Sequence, residues 1–177
     1  MAGLTSQERL QPSLLDRLTD SDTTAAREAI EARVLSKQQL RAAVLRDLSW
    51  LFNTARSEPD AFRGDPEDVA KWREAAQARN SVINYGIPAL SGITLSSMQF
   101  AALESAVRQA IVQFEPRIDP KTLSVEVNRD SGYNIQHNSL RLVIRGHLWN
   151  QPVPLELLLS ADVDVETGLA SVRDMRG

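Results

Sequence analysis

The feature that most limits what this chain can fold into is a change of hydrophobic period across Pro116 and Pro120. Before them, Phe100, Leu103, Val107, Ala110, Ile111 and Phe114 recur every three or four residues, which is the single apolar face of an amphipathic helix. After them, Leu123, Val125 and Val127 alternate with Ser124, Glu126 and Asn128, the period of two that sends successive side chains to opposite faces of a strand. Leu140, Leu142, Ile144 and Leu148 continue the alternation against Arg141, Val143, Arg145 and His147. Val153, Leu155, Leu157, Leu159 and Ala161 then line one face of a further strand that runs on through Val163 and Val165. Asp130-Ser131-Gly132, Asn150-Gln151-Pro152 and Glu166-Thr167-Gly168 supply the turns, the last leading into Leu169 to Val172.

Helices first and strands afterwards predict an α+β fold, with two or three helices packed on one face of a small, mainly antiparallel sheet of three or four strands. Asp162, Asp164 and Glu166 put negative charge along one side of the last strand. Such charges protect an open margin from promiscuous pairing while leaving it usable by a chosen partner.

The helical half begins at Ser36, which with Gln39 matches a capping box, followed by an apolar stripe of Leu40, Val44, Leu48, Leu51, Phe52 and Ala55. The helix is expected to stop before Glu58-Pro59, and Asp65-Pro66 with Asp68 marks a new start whose Val69, Trp72 and Ala76 face inward. Ser96 with Gln99 is a candidate capping box for the helix that ends near Phe114. Between these helices, Arg79 to Gly92 is neither periodic nor of low complexity. Its glycines, proline and asparagines fix a path, and Val82, Ile83, Tyr85, Ile87 and Leu90 have the apolar surface to pin it on the core. Functional loops and ordinary core-capping crossovers share this pattern.

Residues 1–33 read as a polar N-terminal arm and residues 34–177 as a single domain. In the arm, Pro12 and Ser13 open a brief helix through Leu18, with Leu10, Leu14, Leu15 and Leu18 as its apolar cluster. Such a segment either docks on a partner or packs on its own domain.

A formal net charge of -3 over 177 residues, with basic residues spread out, gives no reason to expect a nucleic-acid partner. With no cysteine, disulfides, thiolate metal sites and a cysteine nucleophile are excluded. His137 and His147 lack a third metal ligand at suitable spacing, and no glycine-rich phosphate loop follows a strand, so no metal and no cofactor is implied. The absence of a signal region and of a long apolar run predicts a soluble, cytoplasmic protein with no membrane insertion.

The junction itself, Phe114-Glu115-Pro116-Arg117-Ile118-Asp119-Pro120, carries the strongest functional signal. Pro116 ends the helix, leaving Glu115 at the negative end of the macrodipole, a position that costs about 0.3–1 kcal/mol unless a cation compensates. Arg117 is the nearest candidate, and it either pairs with Glu115 or reaches elsewhere. A local rule broken without visible compensation marks a candidate functional site, the alternative being a carboxylate simply solvated beside a proline stop.

These residues carry a resemblance. The Phe114 to Ile118 motif, the helix before it, the Ser81-Val82-Ile83-Asn84-Tyr85-Gly86-Ile87-Pro88 loop and the alternating strands resemble the TssE family of type VI secretion baseplate proteins. That family includes the wedge proteins of contractile phage tails, once labelled lysozyme-like. The likeness runs from about Val34 to Val172, and Leu10 to Leu18 is similar to the leading segment of TssE.

The resemblance implies a structural protein, not an enzyme, that joins the baseplate subunits TssF, TssG and TssK and attaches the contractile sheath subunits TssB and TssC. Glu115, Pro116 and Arg117 would form the wedge contact, and the strands from Leu140 to Val165 would be where sheath strands add. Alanine at Glu115 or Arg117 is expected to leave the fold intact and abolish sheath assembly.

Two other classes remain. A free-standing adaptor would share these surfaces without needing a sheath. A peptidoglycan glycosidase would use Glu115 as acid with Asp119 or Glu126 as the second carboxylate. A neighbouring arginine, however, favours an ionised carboxylate over the protonated acid such chemistry needs.

Overall fold

The computed structural model describes residues 13–18, 36–59, 64–91, 99–128, 139–149 and 153–176. Helices α1 (Leu14–Leu18), α2 (Lys37–Phe52), α3 (Pro66–Glu74), α4 (Ala76–Arg79) and α5 (Phe100–Phe114) precede strands β1 (Ser124–Val127), β2 (Ser139–Leu148), β3 (Leu155–Asp164) and β4 (Ala170–Asp174). The strands form one antiparallel sheet in the order β1-β2-β3-β4. This is the α+β arrangement that the change of period predicts, with the fourth strand present.

The alternating residues do what their period dictates. Val125, Val127, Leu142, Ile144, Leu157, Leu159, Ala161 and Val163 are buried on one face of the sheet, in one cluster with Leu40, Val44, Leu48 and Leu51 of α2 and Leu103, Val107 and Ile111 of α5. Each fully buried leucine or isoleucine contributes about 1.5–3 kcal/mol, against about 0–1 kcal/mol for an exposed ion pair, so this layer dominates stability. The opposite face carries cross-strand pairs such as Arg141 with Asp162 and Arg145 with Glu126.

Helix starts follow the predicted chemistry in two cases of three. Ser36 Oγ accepts from Gln39 N at 3.2 Å while Gln39 Oε1 accepts from Ser36 N at 2.8 Å, a complete capping box. Asp65 accepts from Glu67 N at 2.8 Å, ahead of Pro66 in the first turn of α3. For α5 the structure corrects the expectation. The N-cap is Gln99, with no side-chain capping bond, and Ser96 lies outside the described residues.

Other corrections concern packing. No residue of α3 or α4 is buried; Val69 and Trp72 are half-buried and Ala76 is exposed, because this helix pair lies at the periphery rather than over the sheet. The 79–92 loop is indeed pinned where it is described: Ile87 N donates to Thr54 O and Arg56 N to Ile87 O, both at 2.9 Å, and Tyr85 meets Phe114 edge-on with centroids 5.1 Å apart. Gly86 makes that approach possible, since it adopts φ +124° and an added Cβ would lie 2.3 Å from Thr54 O. Val82 and Ile83, expected to pack down, are instead 80% and 65% exposed on a 3-10 turn. The turn's buried anchor is the polar Asn84.

Asp162 and Asp164 do not guard a sheet margin, because β3 is an interior strand. Asp162 pairs with Arg141, and Asp164 accepts from Glu166 N at 2.8 Å and Thr167 N at 3.1 Å to shape the turn into β4. The expected turns at Asp130-Ser131-Gly132 and Asn150-Gln151-Pro152 lie outside the described residues.

Candidate functional site

Helix α5 ends at Phe114, and Glu115 follows as its C-cap with only 3% of its surface exposed. A carboxylate buried beside helix carbonyls requires a cation, and Arg117 supplies one through two parallel bonds, Nε to Oε1 at 2.6 Å and Nη2 to Oε2 at 2.5 Å. Of the two readings the sequence left open, pairing is therefore the one that forms. The same Nη2 also reaches Asp47 Oδ2 of α2 at 2.5 Å.

From Asp47 the network continues to Arg46, 2.8 Å away, and from Arg46 to Asp16 of α1, also at 2.8 Å. Ser13 closes it by donating its N and Oγ to Asp16 at 3.1 Å and 2.6 Å. Thus the short N-terminal helix is attached to its own domain through a carboxylate, while Leu14 is left 72% exposed. Pro116 is exposed and the Arg117 side chain is partly so, with Arg117 Nη1 buried and without an acceptor among the described residues.

The electrostatics follow from burial and charge together. Burial opposes the Arg117 charge, but hydrogen bonds and attraction from Glu115 and Asp47 outweigh it and hold the guanidinium more firmly protonated than usual. Burial likewise raises the Tyr85 hydroxyl pKa, helped by the nearby Asp47 and Glu115 charges. Burial alone would raise the Asp16 carboxyl; bonds from Ser13 and Arg46 reverse this and hold it below its ordinary value.

Asp47, Arg46 and Asp16 are the members that sequence reasoning missed. The signal was there for Asp47, which stands three residues after Val44 and four before Leu51 on the buried side of α2, where a carboxylate needs a partner. Around the network the surface is apolar: Trp50, over which Arg46 stacks at 5.3 Å, is 51% exposed, and Trp149, whose N donates to Arg117 O at 2.8 Å, is 59% exposed.

The sheet offers a second surface, and its location corrects the expected one. The strands from Leu140 to Val165 are β2 and β3, the interior strands of the sheet, and much of their length is already paired: β1 covers Leu142 to Arg145 of β2, and β4 covers Leu159 to Val163 of β3. The margins are β1 and β4. Asn128 N bonds Arg141 O, which by alternation turns the main-chain groups of Val125 and Val127 outward. Val127 N is taken by Glu104 of α5 at 2.8 Å and Leu123 O by Arg108 at 3.2 Å, closing most of that margin.

On β4, Met175 N bonds Leu158 O and Asp164 N bonds Leu169 O, turning Ala170, Val172 and Asp174 outward. Asn53 clamps Ala170 by accepting from its N and donating to its O, both at 2.9 Å. Beyond that clamp the margin meets no strand among the described residues.

Among the described residues no three His, Cys, Asp or Glu side chains are grouped as a metal site would need, and no helix is long and apolar enough to cross a membrane. Glu126, the glycosidase candidate's second carboxylate, is tied to Arg145 on the outer face of the sheet, and Asp119 accepts from Lys121 N in the turn before β1.

The site is thus a small helix-and-sheet domain with a buried acid paired to a partly exposed base, and one sheet margin left unfinished among the described residues. The model of the baseplate wedge protein gp25 family matches residues 38–153, and the chain belongs to that family, which is also the family of TssE. No curated protein and no solved structure matches it significantly.

Proposed function

We propose that this chain is a structural, non-enzymatic baseplate component of a type VI secretion machine, working in the cytoplasm. In this reading it joins wedge subunits of the TssF, TssG and TssK kinds through the Glu115-Pro116-Arg117 corner and starts the sheath of TssB and TssC by strand addition. The observation that carries the sheath part is the β4 margin: Val172 and Asp174 turn outward with no strand beside them among the described residues, while Glu104 and Arg108 of α5 close most of the margin opposite. Strand addition supplies main-chain bonds common to all sheets, so one scaffold can begin a polymer of related subunits.

At the corner, the roles divide by exposure. Glu115 is the buried member that fixes the Arg117 fork, whereas Pro116 and the outer side of Arg117 are what a partner touches. Burial of Glu115 behind the Arg117 fork also favours this reading over a glycosidase, whose acid must reach the substrate.

Hydrogen exchange tests the margin directly. The Val172 and Asp174 amides are expected to exchange rapidly in the free protein and to become protected when purified sheath subunits are added. Unchanged exchange in a complex that demonstrably forms would remove β4 as the addition site. Peptidoglycan turnover by the purified protein would overturn the non-enzymatic reading.

A further inference from the structure

A small polar cavity, open to solvent on one side, lies between α5 and the pinned loop, lined by Arg56, Glu58, Arg79, Asn80, Asn84 and Gln113 among others. Its charges do not balance. Glu58 is already engaged: Oε1 is 3.0 Å from Arg79 Nε, Oε2 accepts from Asn84 Nδ2 at 3.3 Å, and its N donates to Asn84 Oδ1 at 2.9 Å. Arg56 Nη1 stands 3.9 Å from Glu58 Oε2, beyond hydrogen-bond reach. Arg56 Nε is buried without an acceptor among the described residues, and Arg79 Nε, though close to Glu58, is too poorly aligned for a bond.

Two guanidiniums therefore share one carboxylate, and buried charged donors are left over, a condition that favours binding of an acceptor from outside. The loop cannot relax to close the gap, because Gly86 is locked against Thr54 and Asn84 Nδ2 is tied to Arg79 O at 3.2 Å. The net charge of the lining, one positive, matches a monoanion, and Glu58 in the wall repels a dianion such as phosphate. The cavity is too small for a cofactor.

We propose that this cavity is a carboxylate-binding site that takes an aspartate or glutamate side chain from a neighbouring baseplate subunit. The nature of the site follows from its own geometry; the source of the carboxylate rests on the baseplate reading above. It is distinct from the Glu115 corner, with which it shares no charged residue.

Arginine Nε–H and side-chain amide NMR of the whole chain, titrated with sodium acetate and separately with sodium chloride at equal ionic strength, tests the site. Arg56, Arg79 and Gln113 signals are expected to shift saturably with acetate alone. Arg56→Lys, which keeps the charge but loses the fork, should abolish the Arg79 shift. Asn80→Asp, at an exposed position on the lining, should weaken acetate at least tenfold with an unchanged Tm, and weaken capture of wedge subunits similarly. Shifts that never saturate, or that chloride reproduces, overturn the site. Saturable acetate binding with undiminished capture by Asn80→Asp overturns the partner source. If the wild-type chain captures no wedge subunit, the baseplate reading and the partner source fall together, while the acetate titration still decides the site.

Discussion

The two margins of this sheet are finished in opposite ways. On the β1 side, Glu104 and Arg108 of α5 reach down to outward main-chain groups, and past the strand Asp119 N bonds His147 O and Trp149 N bonds Arg117 O. That side runs without interruption into the Glu115–Arg117–Asp47 network. On the β4 side, the same task falls to one amide, Asn53, and to Arg41, which joins Asp174 at 2.7 Å and Glu156 O at 2.7 Å. A closed margin stabilises the monomer; an unfinished one is where a neighbour can be read.

The largest expected effect lies at the closed end. Removing either Glu115 or Arg117 by alanine leaves the other charge buried without its bidentate partner, a loss on the order of 3 kcal/mol, or roughly 6–12 °C in Tm for a domain of this size. Burial of Glu115 thus means the alanine variants test folding as well as assembly, whatever the sequence alone suggested. The double variant should cost less than the sum of the singles, since each single strands one charge. Melting of Glu115→Ala within a degree of wild type would break the contrast between the margins.

A paired comparison sharpens it. Glu104→Ala leaves Val127 N–H without its acceptor beneath α5, expected to cost about 1–3 kcal/mol by chemical denaturation and to speed exchange at Val127. Asn53→Ala returns the Ala170 groups to water, where they are solvated, and should cost under about 1 kcal/mol. If Asn53→Ala proves the more damaging, β4 is the better-protected margin and the contrast is inverted.

What the sequence made legible was whatever period and capping chemistry control. Alternation identified the buried residues of β1, β2 and β3, and Ser36 and Asp65 identified two helix starts. What it hid depended on the third dimension. Strand order decides which strand is a margin, so Asp162 and Asp164 looked like edge charges though β3 is interior. Burial of Glu115 required knowing that α2 brings Asp47 to Arg117 across 70 residues of sequence. Val82 and Ile83 misled because apolar composition is a guide to packing only where a neighbour covers the turn, and there Asn84 points inward instead.

The smallest effect separates the margins by pH. Burial alone would raise the Asp174 carboxyl, but bonds from Arg41 and from Arg176 N outweigh it and hold the group below its ordinary value of 3.8. A depressed folded value means the Arg41 link stabilises the protein fully above that ordinary value and is lost as pH falls through the folded one. The Tm gap between wild type and Arg41→Gln should therefore stay constant over the neutral range and close only below pH 3.8. Because both side chains keep some solvent contact, the gap itself is expected to be under about 1 kcal/mol. A gap that persists undiminished well below pH 3.8 would mean Arg41 serves the β4 end through Glu156 O rather than through Asp174. In that case this margin would be held by a main-chain acceptor that does not titrate, and acid could not open it ahead of the rest of the sheet.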